Sequence, residues 1–285
     1  MKILVLGISG MLGSTAFRLL DREYGYRVHG TARADRVRQH FERHAQEKIH
    51  TGIDVLDTYA LLGVLERLRP DLVLNCVGIV KQLDSAKDPL VVLPVNCLLP
   101  HCLARCCALV GARLVHFSTD CVFSGKAGSY AEDSVPDAED LYGRSKLIGE
   151  VDYSNAITLR TSIIGHELDS KRGLVEWFLD QKGAVRGFTR AIFSGLSTDE
   201  LTRVVAERIA PRPDLHGVWH VSTTAISKYD LLRLVRDAYQ RDTGIAPDGS
   251  LVIDRSLDSR RFRSATGYIP PDWPTMIQRM RGAKD

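Results

Sequence analysis

The chain has 285 residues, 44% of them hydrophobic, and a formal net charge of +3. That is enough apolar material for one large domain or two small ones, and too weak a charge to argue for nucleic acid as a partner. No apolar run approaches the roughly 20 residues that span a bilayer, and the N-terminus reads as strand and glycine turn, not as a signal peptide; the expectation is a cytoplasmic protein without membrane contact.

Ile3–Leu6 is an unbroken apolar run, as expected of a strand buried on both faces of a parallel sheet. Gly7-Ile8-Ser9-Gly10-Met11-Leu12-Gly13 follows directly, and Met11–Tyr24 reads as a helix with Met11, Leu12, Phe17, Leu19 and Leu20 at its apolar positions. A glycine-rich turn between strand and helix lets the backbone approach a pyrophosphate, with the amides and dipole of the helix N-terminus facing the phosphates. The next strand, around Arg27–Thr31, should end beside an adenosine ribose. An NAD site places an Asp or Glu there, whereas this chain runs into Thr31-Ala32-Arg33 and reaches its first acid at Asp35. The planar donor fork of Arg33 suits a 2′-phosphate. NADP(H) is therefore favoured, with NAD(H) open, since Arg33, Arg36 and Arg38 also read as exposed arginines of a polar stretch.

Helices are predicted over Thr58–Leu68 and Pro100–Val110, and strands over Leu72–Cys76, Arg113–Phe117 and Ala156–Arg160. This alternation implies an α/β fold, a doubly wound parallel sheet of Rossmann type. After Gly165 the pattern changes. A basic-aromatic stretch, Lys171–Phe193, carries Arg172, Trp177, Lys182, Arg186, Phe188 and Arg190, and Ser197–Ile209 and Ser227–Arg241 read as helices. The expected division is residues 1–165 as an NAD(P)-binding domain and residues 166–285 as a smaller α+β substrate-binding region. The six cysteines (76, 97, 102, 106, 107 and 121) fit neither paired zinc spacings nor a secreted disulfide framework. Cys102, Cys106 and Cys107 are expected to be buried on a helix as small hydrophobes, with no metal site and a reducing cytoplasm around them.

Ser118-Thr119-Asp120 closes the run from Arg113, and Tyr142-Gly143-Arg144-Ser145-Lys146 begins 23 residues after Thr119. Tyr142 and Lys146 are four apart and share a helix face. A neighbouring ammonium lowers a phenol pKa from about 10, making it an acid usable near neutrality. Carbonyl reduction needs such a donor, because hydride arrives at carbon while a proton reaches the oxygen. Thr119 is placed to hold that oxygen, and Lys146 to bond a nicotinamide ribose.

Together these pieces resemble the dTDP-4-dehydrorhamnose reductase branch of the extended short-chain dehydrogenases. The resemblance covers Gly7-x-x-Gly10-x-x-Gly13, Gly52-Ile53-Asp54, Asn75-Cys76-Val77-Gly78, Val95-Asn96, and Ser118-Thr119-Asp120-x-Val122-Phe123-x-Gly125. It continues through Tyr130-x-Glu132-Asp133-x-x-Pro136, Tyr142-Gly143-x-Ser145-Lys146-x-x-Gly149-Glu150 and Leu159-Arg160-Thr161-Ser162. It implies Thr119, Tyr142 and Lys146 as the catalytic set. For the cofactor it implies Gly7, Gly10, Met11, Leu12 and Gly13 at the phosphates, Arg33, Asp54 and Val55 at the adenosine, and Cys76, Val77, Gly78, Asn96 and Ser118 along the cleft beside Tyr142 and Lys146. Val80, Cys121, Ile163, Arg190, Arg255 and Arg261 are the substrate contacts it suggests.

Some positions depart from the family pattern. Cys121 stands where a Tyr is usual, Ile163-Ile164-Gly165-His166 follows Arg160-Thr161-Ser162 without the common aromatic, and the Pro of the late R-P-x-x-S-x-L-D stretch is missing near Arg255. The expected function is reduction of a nucleotide-linked 4-keto-6-deoxy sugar for surface polysaccharide precursors, with nucleotide and sugar left open. The expected partner is that small-molecule substrate; a homodimer is an open alternative. Two rivals remain: an epimerase or dehydratase on the same fold, and a non-catalytic NADP-binding subunit. The dehydratase reading lacks its elimination acid, since Cys121 follows Asp120.

Overall fold

The structure, a computed structural model, describes residues 1–81 and 83–283. Its strands begin with β1 (Lys2–Leu6), in which Ile3, Leu4, Val5 and Leu6 are fully buried. Burial on both faces is why that run shows no polar alternation. The next strands are β2 (Arg27–Thr31), β3 (Ile49–His50), β4 (Leu72–Asn75), β5 (Arg113–Phe117) and β6 (Ala156–Arg160). With the strand Gly217–His220 at one edge, they lie in the order Gly217–His220, β6, β5, β4, β1, β2, β3. Every pair from β3 through β6 is parallel. This is the doubly wound α/β sheet, and its strand order reverses between β1 and β4, the point where such sheets bind ligands outside the strand carboxyl ends. Leu6 and Asn75 are register partners, so the chain leaves both strands side by side as Gly7 and Cys76.

Helix α1 (Met11–Arg22) stops two residues before the expected Tyr24. The helix Thr58–Leu68 starts where Asp57 accepts hydrogen bonds from the amides of Tyr59 and Ala60. The helix Leu99–Val110 ends at Gly111, whose φ of 75° a side chain would resist. Leu61 and Leu65 of one helix and Leu103 and Cys107 of the other form one apolar cluster with Leu4, Val73 and Leu114 of the sheet. Cys106 is buried as well, but Cys102 lies on the exposed face, against expectation. The helical run Pro89–Val110 also corrects the reading that no apolar run approaches membrane-spanning length. It has 22 residues, and an 18-residue window within it has a mean hydropathy of 1.6, enough by length and composition, with half of that window buried in the protein.

The chain folds as two compact units that interleave in sequence instead of meeting at residue 165. One comprises Met1–Ser118, Glu139–Leu159 and Thr202–Val218; the other Thr119–Ala138, Arg160–Leu201 and Trp219–Asp285. The second unit is built from short pairings. Ala191–Phe193 lies between Ile226–Ser227 and Ile253–Asp254, Val185–Phe188 pairs with Ile245–Asp248, and Ile163–Ile164 with Leu196–Ser197. The basic-aromatic stretch thus becomes a helix, Leu174–Leu179, and two strands.

Candidate active site

The glycine turn is sterically committed at two of its three positions. Gly7 has φ +82°, and a Cβ there would sit 2.8 Å from Val77 Cγ2. A Cβ on Gly13 would meet the Gly7 carbonyl oxygen at 2.2 Å. Gly10 differs: its nearest neighbour for a Cβ is the Gly7 oxygen at 3.5 Å, an ordinary contact, so the fold itself does not exclude a side chain there. Gly10 is also the N-cap of α1, without a side-chain cap and without an acid in the first turn. The first amides of α1, at Met11 and Leu12, therefore open an uncapped helix N-terminus, an arrangement that favours an anion.

Around this turn, Cys76 and Val77 are half-buried and Gly78 exposed at the exit of β4. Burial raises the Cys76 thiol pKa, so the thiolate is not its working form. The exits of β2 and β3 are tied by Gly52 N donating to Arg33 O and Ile53 N to Ala32 O. Arg33 is exposed, whereas Arg38 is held by Asp35 at 2.8 Å and by the Ile49 carbonyl. Asp54 is exposed, its carboxylate accepting from Leu56 N, and Val55 is half-buried.

Asn96 is buried in a six-residue π-helical turn, Leu93–Leu98, a geometry frequent at functional sites. Its Oδ1 accepts from Ile79 N at 2.9 Å, and its Nδ2 donates to Ile79 O at 3.0 Å and to Ser145 Oγ at 3.2 Å. One side chain thus fixes the segment between Gly78 and the exposed Val80 and also the helix Leu141–Ile148. Asp140 caps that helix, accepting from Gly143 N at 2.7 Å. Tyr142 is half-buried in its first turn and Lys146 is 6% exposed. Lys146 Nζ donates to Phe117 O at 2.7 Å, and burial lowers its pKa to about 8 against the opposing pull of Glu150 and Cys97. Ser118 Oγ donates to Glu150 at 2.7 Å. The first unit therefore brings together the glycine turn, Cys76–Gly78, Asn96, Ser118, Tyr142 and Lys146.

Thr119 opens the second unit. It is buried, and its Oγ1 accepts from Cys121 N at 3.1 Å. Burial raises the Asp120 carboxyl pKa, opposed by Cys121, Arg255, Thr119 and Ser162. Cys121 is half-buried, its thiol pushed up to about 12 by burial and then by Asp120. Arg255 Nε donates to Phe123 O at 2.8 Å, so part of its fork is spent on the backbone. Ile163 is half-buried in its short strand and Arg190 is exposed. Arg261 stacks 3.9 Å from the centre of the Trp219 ring and lines a cavity of about 670 Å³ with Glu132, Asp133, Asp258 and Arg260. Arg255 does not line it. Two residues escape the sequence reading, Asn75 as a functional side chain and His116. The available signal is a single His inside the apolar run Leu114–Phe117, two residues before Ser118.

A family model described as "RmlD substrate binding domain" matches residues 1–280. A dTDP-4-dehydrorhamnose reductase of Streptomyces griseus is 34% identical over 148 residues, which are 52% of this chain and 43% of the relative. Methionine adenosyltransferase 2 subunit beta of Xenopus tropicalis is 25% identical over 259 residues, covering 84% of this chain and 72% of that protein. Among solved structures, a dTDP-4-dehydrorhamnose reductase from Bacillus anthracis in complex with NADP superposes with a TM-score of 0.79 at 19% identity, covering 100% of this chain and 99% of the other. At that identity the match speaks for the fold.

Proposed function

The chain belongs to the RmlD substrate binding domain family, and from that footing we propose that it reduces a nucleotide-linked 4-keto-6-deoxy sugar, with NADP(H) preferred over NAD(H). The observation that carries the reading is Lys146: a buried ammonium, four residues after Tyr142, hydrogen-bonded to the last carbonyl of β5 where Ser118-Thr119 begins. Taking a lysine out of water costs several kcal/mol, and a residue so placed is more readily explained by chemistry than by stability.

When bound, the nicotinamide supplies the hydride to the ketone carbon. In this reading α1's first amides and Gly7, Gly10 and Gly13 hold the pyrophosphate, Arg33 the 2′-phosphate, and Asp54 and Val55 the adenosine. Cys76, Val77, Gly78, Asn96 and Ser118 shape the rest of the cofactor's bed. Tyr142 gives its phenolic proton to the ketone oxygen, Lys146 keeps that phenol acidic, and Thr119 orients the oxygen. Val80, Cys121, Ile163, Arg190, Arg255 and Arg261 are the proposed substrate contacts. The NADP named with the Bacillus anthracis neighbour and the reductase name of the Streptomyces griseus relative support this reading. We place the enzyme in the cytoplasm, feeding surface polysaccharide synthesis.

The methionine adenosyltransferase subunit relative favours a second reading, a regulatory subunit. Against it stand Thr119, Tyr142 and Lys146, all of which a non-catalytic chain is free to lose. The test is oxidation of NADPH and NADH against dTDP-, UDP- and GDP-linked 4-keto sugars generated in place by their dehydratases. Turnover with one member identifies the substrate and the cofactor. Cofactor binding with no turnover across the panel would move the protein to the subunit reading.

A further inference from the structure

His116 is fully buried on β5, between residues that are otherwise apolar. Burying an imidazole is costly unless its nitrogens find partners. On the adjacent strand β4, Asn75 is the register partner of His116, is 1% exposed, and places Nδ2 3.1 Å from His116 Nδ1. The direction of this bond is set by a third group. Asn75 Oδ1 accepts from Val77 N at 3.2 Å, so the amide's NH2 end faces the ring. Nδ1 is therefore the acceptor, and a neutral imidazole carries its hydrogen on Nε2. Nε2 faces Lys146 Nζ at 3.5 Å. Burial first, then the charge of Lys146, keeps the ring neutral.

An ammonium gains nothing from an N–H pointed at it, whereas a bare amine accepts that hydrogen. We propose that Asn75 and His116 position Lys146 for proton release, the Nε2–H of His116 being the donor that receives the amine when Lys146 gives up a proton. The consequence for turnover rests on the reductase reading; the wire itself does not. In that reading the Tyr142 O–H bond breaks toward the substrate oxygen, the phenolate takes a proton from Nζ, and an N–H bond of Lys146 breaks. The resulting amine accepts from His116 Nε2–H until a solvent proton returns to Nζ. The charged and titratable groups around Lys146 are Tyr142 on its own helix, Glu150 just past that helix's C-cap at Gly149, Cys97 on the π-helical turn and His116 on β5, with His101 acting on His116.

Two measurements decide the matter without any substrate. Nitrogen-15 spectra of the imidazole in the unmodified protein should show His116 protonated at Nε2 alone; protonation at Nδ1 overturns the proposal. The Lys146 side chain, followed by its labelled ε-carbon, should titrate about one pH unit higher in Asn75→Ala, where the ring is free to turn a lone pair to the ammonium. His116→Gln, whose amide oxygen can face Nζ, should move it the same way and serves if Asn75→Ala does not fold. An unmoved midpoint in a folded variant overturns the wire. With a substrate in hand, the alkaline limb of kcat should follow the Lys146 midpoint upward while KM stays; a static limb with a shifted midpoint overturns the link to turnover. If no substrate turns over, the reductase reading fails while the spectra still judge the wire.

Discussion

The two units spend their buried polar groups differently. In the first, the parallel sheet supplies a continuous backbone ladder, and the buried polar groups pair off about the helix Leu141–Ile148, His116 with Asn75 and Lys146, and Asn96 with Ser145. In the second, the strands are two to four residues long, and side chains do the holding. The Phe123 and Tyr130 rings stack at 4.2 Å, and the Arg160 guanidinium lies 5.4 Å from the Phe123 centroid. Arg160 also reaches His220 Nε2 at 3.3 Å, and His220 Nδ1 pairs with Tyr130 O at 3.0 Å. Glu200 accepts from Tyr268 and Arg279. A long ladder leaves polar side chains available for chemistry, whereas short strands need them as fasteners.

That contrast can be broken by mutation. Tyr142→Phe should cut turnover by about 10²–10⁴-fold while leaving cofactor affinity and thermal midpoint close to those of the parent; a fully active variant removes the proposed proton donor. Phe123→Ala should have the opposite profile in kind. Emptying the site of a ring that is 0% exposed should cost about 3–5 kcal/mol of stability by denaturant titration, and a loss under about 1 kcal/mol would mean that the aromatic stack does not hold the second unit.

His220 gives the same unit a pH signature. Burial, then Arg160, lowers its pKa from 6.5 to about 4. The folded protein thus keeps the ring neutral where the unfolded chain already binds a proton. The contribution is whole above pH 6.5 and is lost as pH falls toward 4, about 3 kcal/mol in all. His220→Asn should flatten the acid limb of the stability curve across that window, and an unchanged slope would exclude His220 as its source. The smallest effect is expected from Asp140→Ala, which removes the cap of the helix Leu141–Ile148 and the 2.6 Å pair with Lys81. About 1 kcal/mol should be lost, with turnover falling more than stability if the cap's main role is to place Tyr142.

The same contrast decides what is legible in the sequence. β5, β6 and the helix Thr58–Leu68 fall on their expected residues, because a largely apolar run of strand length and a helical period over several turns are both local signals. The strands Ile226–Ser227 and Ile253–Asp254 are too short to have one, and their pairing with Ala191–Phe193 is set by residues far along the chain. At the site, the glycine turn and the Tyr142–Lys146 spacing are local patterns and can be read directly. The contact between Asn75 and His116 depends on the register of β4 on β5, which no local spacing encodes. Cys102 departs from expectation for a related reason: the helix Leu99–Val110 is apolar beyond its buried stripe, with Leu109 74% exposed, so composition alone does not mark the inner face.

The interleaving of the units bears on how the protein is made. The first unit needs Thr202–Val218, which supplies part of the strand beside β6. A ribosome therefore delivers β1 through β5 long before the piece that covers the sheet's edge, and stretches of the second unit emerge in between. Until then the open side of β6 is an unpaired strand edge of the kind that invites aggregation. Ribosome-stalled chains ending before residue 202 should accordingly depend on chaperones more than chains that extend past residue 218, a vulnerability confined to the nascent protein.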